Sequence, residues 1–221
     1  MRIILDNIDR NKIYKKETVY QYFKRLVDIS VSIALIIILF PIFLLITIFI
    51  KLEDGGKVLF AHSRIGYKGK KFEIYKFRSM KESDLDLKEL LTKEQYEEYL
   101  KEFKLDNDPR ITKVGSLLRK TSLDELPQLF NILKGDMSLV GPRPIIEGEF
   151  VNYSKLEKEK LLSVKPGLTG YWQAYARNNA SYQTGERQRM ELYYVDHASV
   201  WLDIKVLFKT VQTVITREGA K

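Results

Sequence analysis

A chain of 221 residues is long enough for one compact domain with its own core, and 45% hydrophobic against 30% charged residues excludes a disordered or low-complexity polymer. The absence of cysteine excludes a disulfide framework and thiolate metal sites, and His62 and His197 alone are too few for a zinc site, so any metal should be a hard, oxygen-bound cation such as magnesium or manganese. The formal net charge of +8 favours phosphate-rich partners, whether nucleic acid, anionic lipid headgroups or nucleotides, without choosing among them.

The choice is narrowed by the stretch from Ile29 to Ile50, which carries no charge and is dominated by Ile, Leu, Phe and Val. As a helix it is about 33 Å long, enough for the core of a bilayer. A long charged stretch precedes it and no small-residue cleavage site follows, so it does not read as a secretory signal. Pro41, near its middle, cannot donate to the carbonyl of Ile37 and favours a kink. Lys15, Lys16, Lys24 and Arg25 precede the stretch, while Lys51, Lys57, Arg64, Lys68, Lys70 and Lys71 follow it. Both flanks therefore look cytoplasmic. A re-entrant hairpin fits these residues, and so does a kinked single span.

Beyond it, Lys57 to His62 and Lys71 to Phe77 are short β-rich runs around a Gly-containing turn, and they predict a small hairpin. Ser83 to Phe103 reads as a solvated helical excursion. Val114 to Arg119 and Pro127 to Leu133 predict two helices, Gly135 to Pro144 a rigid loop, Glu149 to Leu162 a further helix and Lys165 to Gly170 a turn-rich loop. Trp201, Ile204, Leu207, Phe208, Val211, Val214 and Ile215 recur at helical spacing, so the C-terminal region predicts an amphipathic helix, either on a membrane surface or against the domain core.

The most informative segment for chemistry is Arg119 to Pro127. Ser122 and Glu125 match a capping box, yet Pro127 disfavours a helix begun there. A helix starting nearer Pro127 leaves Asp124 and Glu125 beside unpaired amides that attract anions, a conflict that a bound magnesium removes. An aspartate so placed can attack phosphorus. In Gly141-Pro142-Arg143-Pro144 the two prolines stiffen the backbone around a guanidinium suited to phosphate, although an arginine paired with a carboxylate reads the same way. Arg119 could neutralise the same phosphates or simply end a helix. Asp106, Asp108 and Asp136 are oxygen donors that also suit ordinary turns, and the histidines have no partner spacing.

Lys24 to Asp28 ahead of the apolar stretch, KFEIYKFRSM at Lys71 to Met80, RKTSLDELPQLFNILKGDMSLVGPRP at Arg119 to Pro144 and KPGLTGYWQ at Lys165 to Gln173 together resemble the bacterial sugar transferase family, the monotopic phosphoglycosyl transferases. The resemblance covers about Lys24 to Arg217, and it implies an α+β, mainly helical fold. Residues 1–23 would be an N-terminal cytoplasmic segment and 24–52 a re-entrant membrane helix broken at Pro41. Residues 53–217 would be a small cytoplasmic catalytic domain with a short β-hairpin and surface amphipathic helices, and 218–221 a tail. With so few residues before Lys24, it resembles the family's short form.

The resemblance also implies a two-step reaction in which Asp124, with magnesium or manganese bound at it, attacks the β-phosphate of a UDP-sugar and expels UMP, after which undecaprenyl phosphate takes the phospho-sugar. Glu125 would orient acceptor or metal, and Arg143 and Arg119 would neutralise phosphate charge. A UDP-hexose such as galactose or glucose is the expected donor; Tyr171-Trp172-Gln173 and Arg177-Asn178-Asn179 are candidates to lie near it, although aromatic and amide residues in a loop are just as often structural. The implied location is the cytoplasmic face of the bacterial cell membrane, with anionic lipids and downstream glycosyltransferases as partners and self-association compatible. A nucleic-acid partner is not expected, since an acidic pair is unwelcome at a phosphate backbone.

Overall fold

The computed structural model describes residues 18–81, 87–102, 105, 108–176, 180 and 184–216. Lys15, Lys16, Asp106, the segment 177–179 and Arg217, all invoked above, lie outside the described residues. The fold is mainly helical α+β, with one long apolar helix and two small sheets.

Helix α1 runs from Thr18 to Asp54, so it starts before Lys24 and ends beyond Leu52. No breaker precedes Gly55, whose positive φ of 71° suits the end of a helix and whose N–H returns to Lys51 O at 3.0 Å. Pro41 stands inside α1 and does not end it, because a proline removes one ladder bond while the turns on either side keep theirs. Among the described residues α1 is the one helix long and apolar enough to cross a membrane, and only 11% of its most apolar window is buried.

Asp28, Ser32, Ile46 and Ile50 are its buried residues, with Leu35, Ile36 and Phe43 packed between them. They form one stripe at helical spacing. Pro41 is exposed on the face away from that stripe.

Both ends of α1 are tied to that domain. Near the start, the Arg25 guanidinium donates to Ile132 O at 2.5 Å and Leu133 O at 2.9 Å, and Asp28 accepts from Leu139 N at 2.9 Å. At the other end Asp54 pairs with Arg78, and Glu53 Oε1 accepts from Lys113 N at 2.7 Å.

Strands β1 (Leu59–Ile65) and β2 (Lys71–Phe77) form the anticipated antiparallel hairpin, with Leu59 opposite Phe77 and Ile65 opposite Lys71. The charged excursion holds two short helices, α2 (Leu87–Leu90) and α3 (Lys93–Glu102). Helix α4 (Lys113–Thr121) is capped by Thr112, whose hydroxyl accepts from Gly115 N at 2.9 Å, and α5 (Gln128–Lys134) ends at Gly135 with φ 90°.

Two expected loops instead hold strands. Ser138–Val140 (β3) lies parallel to Gly167–Thr169 (β4), and the two meet through glycine: a Cβ on Gly167 would sit 2.1 Å from Gly141 N. Strands of three residues show too little alternation to be read from sequence. The helix expected over Glu149 to Leu162 is also two elements, a 3-10 turn Glu147–Asn152 and α6 (Lys155–Leu161). Buried Tyr153 is extended between them, and Ser154 starts α6 with its own capping box to Glu157.

Helices α7 (Tyr171–Ala176), α8 (Glu186–His197) and α9 (Val200–Thr216) complete the chain. Leu129, Ile132, Met137, Val140, Tyr194 and Val206 form the centre of the core, and Ile74 joins them from β2. The C-terminal amphipathic helix does pack here through Val206, while Trp201, Phe208 and Val211 remain exposed.

The close approach of β3 and β4 gives a direct test. Gly167→Ala should destabilise the fold by about 2 kcal/mol or more, since backbone rather than a flexible side chain blocks the new methyl. Chemical unfolding midpoints against wild type measure this, and an unchanged midpoint would show that the strands can separate freely.

Candidate active site

The site begins where α4 stops. Ser122 takes the left-handed conformation with φ 57°, unusual for a residue with a side chain, and its N–H closes α4 on Arg119 O at 3.2 Å. No side-chain cap from Ser122 forms, so the capping-box reading does not hold. The chain instead makes a 3-10 turn over Leu123–Glu125, and α5 begins at Gln128 with Pro127 before it. Leu123 and Leu126 pack with Ile46, Ile50, Phe77 and Leu118, which pins the turn beneath α1.

Asp124 is thereby buried, at 7% exposure, and faces Lys76 of β2 with Nζ 3.7 Å from its Oδ2. The same ammonium is 2.6 Å from Glu125 Oε1. Lys76 was missed in the sequence, although a signal exists: in Phe72, Ile74 and Lys76 a charge stands on the inward face of an alternating strand. Its position is fixed by Asn131 of α5, which is fully buried and pairs with the free edge of β2, donating to Glu73 O at 2.7 Å and accepting from Tyr75 N at 2.9 Å.

A small open cleft adjoins Asp124 and Glu125, and its polar lining includes Arg64, Lys76, Glu125, Gln128, Arg143 and Gln173. Arg143 thus lies with Glu125 and Lys76, on the loop that follows β3. It is also paired: its Nη1 donates to Glu149 Oε1 at 2.9 Å and its backbone N to Glu191 Oε2 at 3.0 Å. Arg64 and Arg187 each stand 3.7 Å from Glu149, and the Arg187 guanidinium lies over the Trp172 ring at 4.1 Å. These carboxylates were not legible in sequence, because Glu149 and Glu191 meet Arg143 only through the fold.

The two buried glutamates respond differently. Burial pushes Glu149 up, but Arg143, the Ile146 N–H, Arg187 and Arg64 outweigh it and hold the carboxyl below its usual range. Burial dominates at Glu191, which is pushed up to about 7 against weaker pulls from Arg187 and Arg143. Its Oε1 has no hydrogen-bond partner among the described residues.

Arg119 is not among the cleft residues; its Nε donates to Ser79 Oγ at 3.0 Å. Asp108 binds Arg110, with Nε 2.8 Å from Oδ1, and His197 stacks on Tyr193 at 4.2 Å. Among the described residues no group of three or more His, Asp or Glu side chains gathers to hold a metal. Magnesium does not need one, since it keeps several waters and takes one or two carboxylates plus substrate phosphates, which the oxygen donors of Asp124 and Glu125 fit.

With this geometry in place, comparison with known proteins is decisive on kinship. The profile described as bacterial sugar transferase matches residues 19–217. The chain belongs to the bacterial sugar transferase family. Within this family it is 47% identical over 215 residues to the undecaprenyl-phosphate galactose phosphotransferase of Salmonella typhimurium, covering 96% of this chain and 44% of that protein. The exopolysaccharide production protein ExoY of Sinorhizobium fredii is 44% identical over 200 residues, 89% of this chain and 87% of its own length. A UDP-N-acetylgalactosamine-undecaprenyl-phosphate N-acetylgalactosaminephosphotransferase of Aeromonas hydrophila is 35% identical over 227 residues, covering 100% of this chain and 50% of that one. The chain therefore spans about half or less of two of these relatives and most of the third.

Glu191 supplies a pH test. Its carboxyl holds a proton in the fold at pH values where the unfolded chain, near 4.5, has lost it, so its contribution to stability falls as pH rises from 4.5 to about 7. Glu191→Gln keeps an acceptor for the Arg143 N–H and removes the titration. Measured by urea unfolding over a pH series, the variant should gain stability relative to wild type across that window and level off above it. Parallel pH curves would contradict the assignment.

Proposed function

We propose that this family member transfers a sugar phosphate from a UDP-hexose to undecaprenyl phosphate, releasing UMP, at the cytoplasmic face of the bacterial cell membrane, as the first membrane step of exopolysaccharide or capsule synthesis. The observation that carries the reading is Asp124, buried beside Lys76 at the edge of a cationic cleft and pinned by its turn beneath an apolar helix. A polar donor and a lipid acceptor both need access to such a nucleophile. The relatives' names support the substrates, and galactose and N-acetylgalactosamine share a configuration, so galactose is the hexose we propose, with glucose as its competitor.

In the first step a carboxylate oxygen of Asp124 attacks the β-phosphorus. The bond from that phosphorus to the bridging oxygen breaks, and UMP leaves with the electron pair. In the second, an oxygen of undecaprenyl phosphate attacks the same phosphorus, the aspartyl bond breaks, and Asp124 is restored as a carboxylate beside undecaprenyl diphosphate sugar. No redox partner is needed. Lys76 offsets the repulsion between carboxylate and diphosphate, and Arg143 and Arg64 face the phosphate oxygens from the far wall. Arg143 must loosen its hold on Glu149 to do so, or use the remaining donors of its fork. Arg119, tied to Ser79, would serve by supporting the turn. Magnesium or manganese bound at Asp124 and Glu125 would supply further neutralisation of phosphate oxygens.

For topology, the proposal is that α1 enters the membrane and returns, with residues 24–52 embedded, 53–217 as the cytoplasmic catalytic domain, and 1–23 and 218–221 flanking them. The anchors at Arg25 and Asp54 to one domain support it, and basic flanks suit anionic lipids. Since the chain has no cysteine, single cysteines at exposed Gln21 and Lys57 can be labelled from either side of the membrane. Both should react only from the cytoplasmic side, and opposite accessibility would establish a span.

The chemical step is tested at Asp124. Asp124→Asn should change stability by about 1 kcal/mol and lower turnover by several orders of magnitude, on the order of ~10⁴-fold or more. Wild type incubated with a UDP-sugar and magnesium, without acceptor, should carry a phospho-sugar adduct visible by intact-protein mass spectrometry. A folded Asp124→Asn variant with normal turnover would refute the covalent mechanism.

A further inference from the structure

Most of the polar side chains lining the cleft are charged, and their chemistry suits a diphosphate. Two are neutral amides. Gln128 is 2% exposed and lines the cleft. Gln173 lines the same cleft with its Oε1 buried and unpartnered, and its Nε2 makes only a 3.5 Å contact with Leu168 O. A buried amide oxygen with nothing to bond, as at Gln173, is costly unless something absent completes it, and an amide offers both donor and acceptor, which matches hydroxyl groups better than phosphate.

The reaction geometry says which part of the donor these amides meet. In an in-line displacement the leaving UMP departs on the side opposite the attacking oxygen, while the sugar oxygen is one of the substituents beside it. Leu126 and Pro127 both hold right-handed helical angles, so Gln128, four residues after Asp124, lies on the nucleophile's own side of the helical turn. A group on that side stands nearer the substituents beside the phosphorus, the sugar oxygen among them, than the departing nucleotide. The nearest hydroxyl to the anomeric carbon is the one on C2.

We infer that Gln128, with Gln173 lining the same cleft, hydrogen-bonds the hydroxyl groups of the donor sugar nearest its anomeric carbon and is a specificity-determining residue. The inference rests on the transfer reaction proposed above, and the experiment separates the two. The full chain in lipid vesicles containing undecaprenyl phosphate is assayed for UMP release from UDP-galactose and from its 2-deoxy analogue, with UMP as a competing inhibitor.

Gln128→Leu should lower kcat/KM for UDP-galactose about 10- to 100-fold, leave inhibition by UMP within about twofold of wild type, and lose little further with the deoxy donor, because the contact is already gone. Its unfolding midpoint should be unchanged or higher, since leucine nearly keeps the volume and needs no hydrogen bond in a buried position. Unchanged kinetics would overturn the contact. A parallel loss of UMP inhibition would assign Gln128 to the nucleotide instead, and a lowered midpoint with general loss of activity would make it structural. If wild type releases UMP from no UDP-sugar, the transfer reaction itself fails and this inference with it, whereas the other adverse results leave the transfer reaction standing.

Discussion

The arrangement depends on one buried amide. Asn131 completes the open edge of β2 as another strand would, giving a donor to Glu73 O and an acceptor to Tyr75 N, and it does so from the middle of α5. A two-stranded hairpin is marginal by itself and its free edge must be satisfied if it is covered. The same bonds fix the register between β2 and α5. Because Lys76 follows Tyr75 directly and Asp124 and Glu125 lead into α5, fixing that register also sets the distances of 2.6 and 3.7 Å between the ammonium and the two carboxylates. Site geometry and fold stability are here one interaction.

The opposite wall of the cleft is built from charges rather than amides. Three arginines converge on Glu149, which stays ionised because they and the Ile146 N–H outweigh its desolvation. Such a buried cluster is weak as a source of stability, since desolvation consumes much of the Coulombic gain. Its use is positional. A guanidinium held from one side by a carboxylate keeps its orientation, and the prolines around Arg143 hold the backbone for the same purpose. Glu191 accepts the backbone N–H of that loop, a bond that favours its ionised form, but burial outweighs it and pushes the carboxyl up.

Helix α1 links this polar machinery to an apolar environment. Its inner stripe contributes to two of the three apolar clusters among the described residues, and its outer face presents Ile37, Ile38, Phe40, Leu44 and Phe49 to the surroundings. A soluble protein rarely exposes so continuous an apolar surface. Leu123 and Leu126 pack against the inner stripe while Asp124 and Glu125 between them face Lys76, so the acidic turn is wedged between the long apolar helix and the hairpin. Asp54 and Glu53, at the end of α1, reach Arg78 and the start of α4, so that end of the helix is held to the elements that frame the acidic turn.

Sequence alone determined the parts governed by local physics or by long motifs: the apolar helix, from its uncharged length; the hairpin, from alternation; the helices on either side of the acidic turn, from Pro127 and Gly135; and the family, from four ordered motifs. It placed Asp124, Glu125 and Arg143 as candidates, and the fold brings Glu125 and Arg143 to one cleft beside Asp124. What it did not determine depends on contacts between residues far apart in the chain. The pairing of β3 with β4 joins two three-residue strands across more than twenty residues, held by glycines whose only signal is the space they leave. Lys76 and the Asn131 bonds to β2 join residues about 50 apart, and Glu149 and Glu191 reach Arg143 from two further elements. Periodicity and capping act within a few residues and leave traces in the sequence. The burial of an asparagine or a glutamate against a distant partner leaves none, and Lys76 leaves only a charge on the inward face of a strand without naming its partner, so only the tertiary structure decided which charges meet.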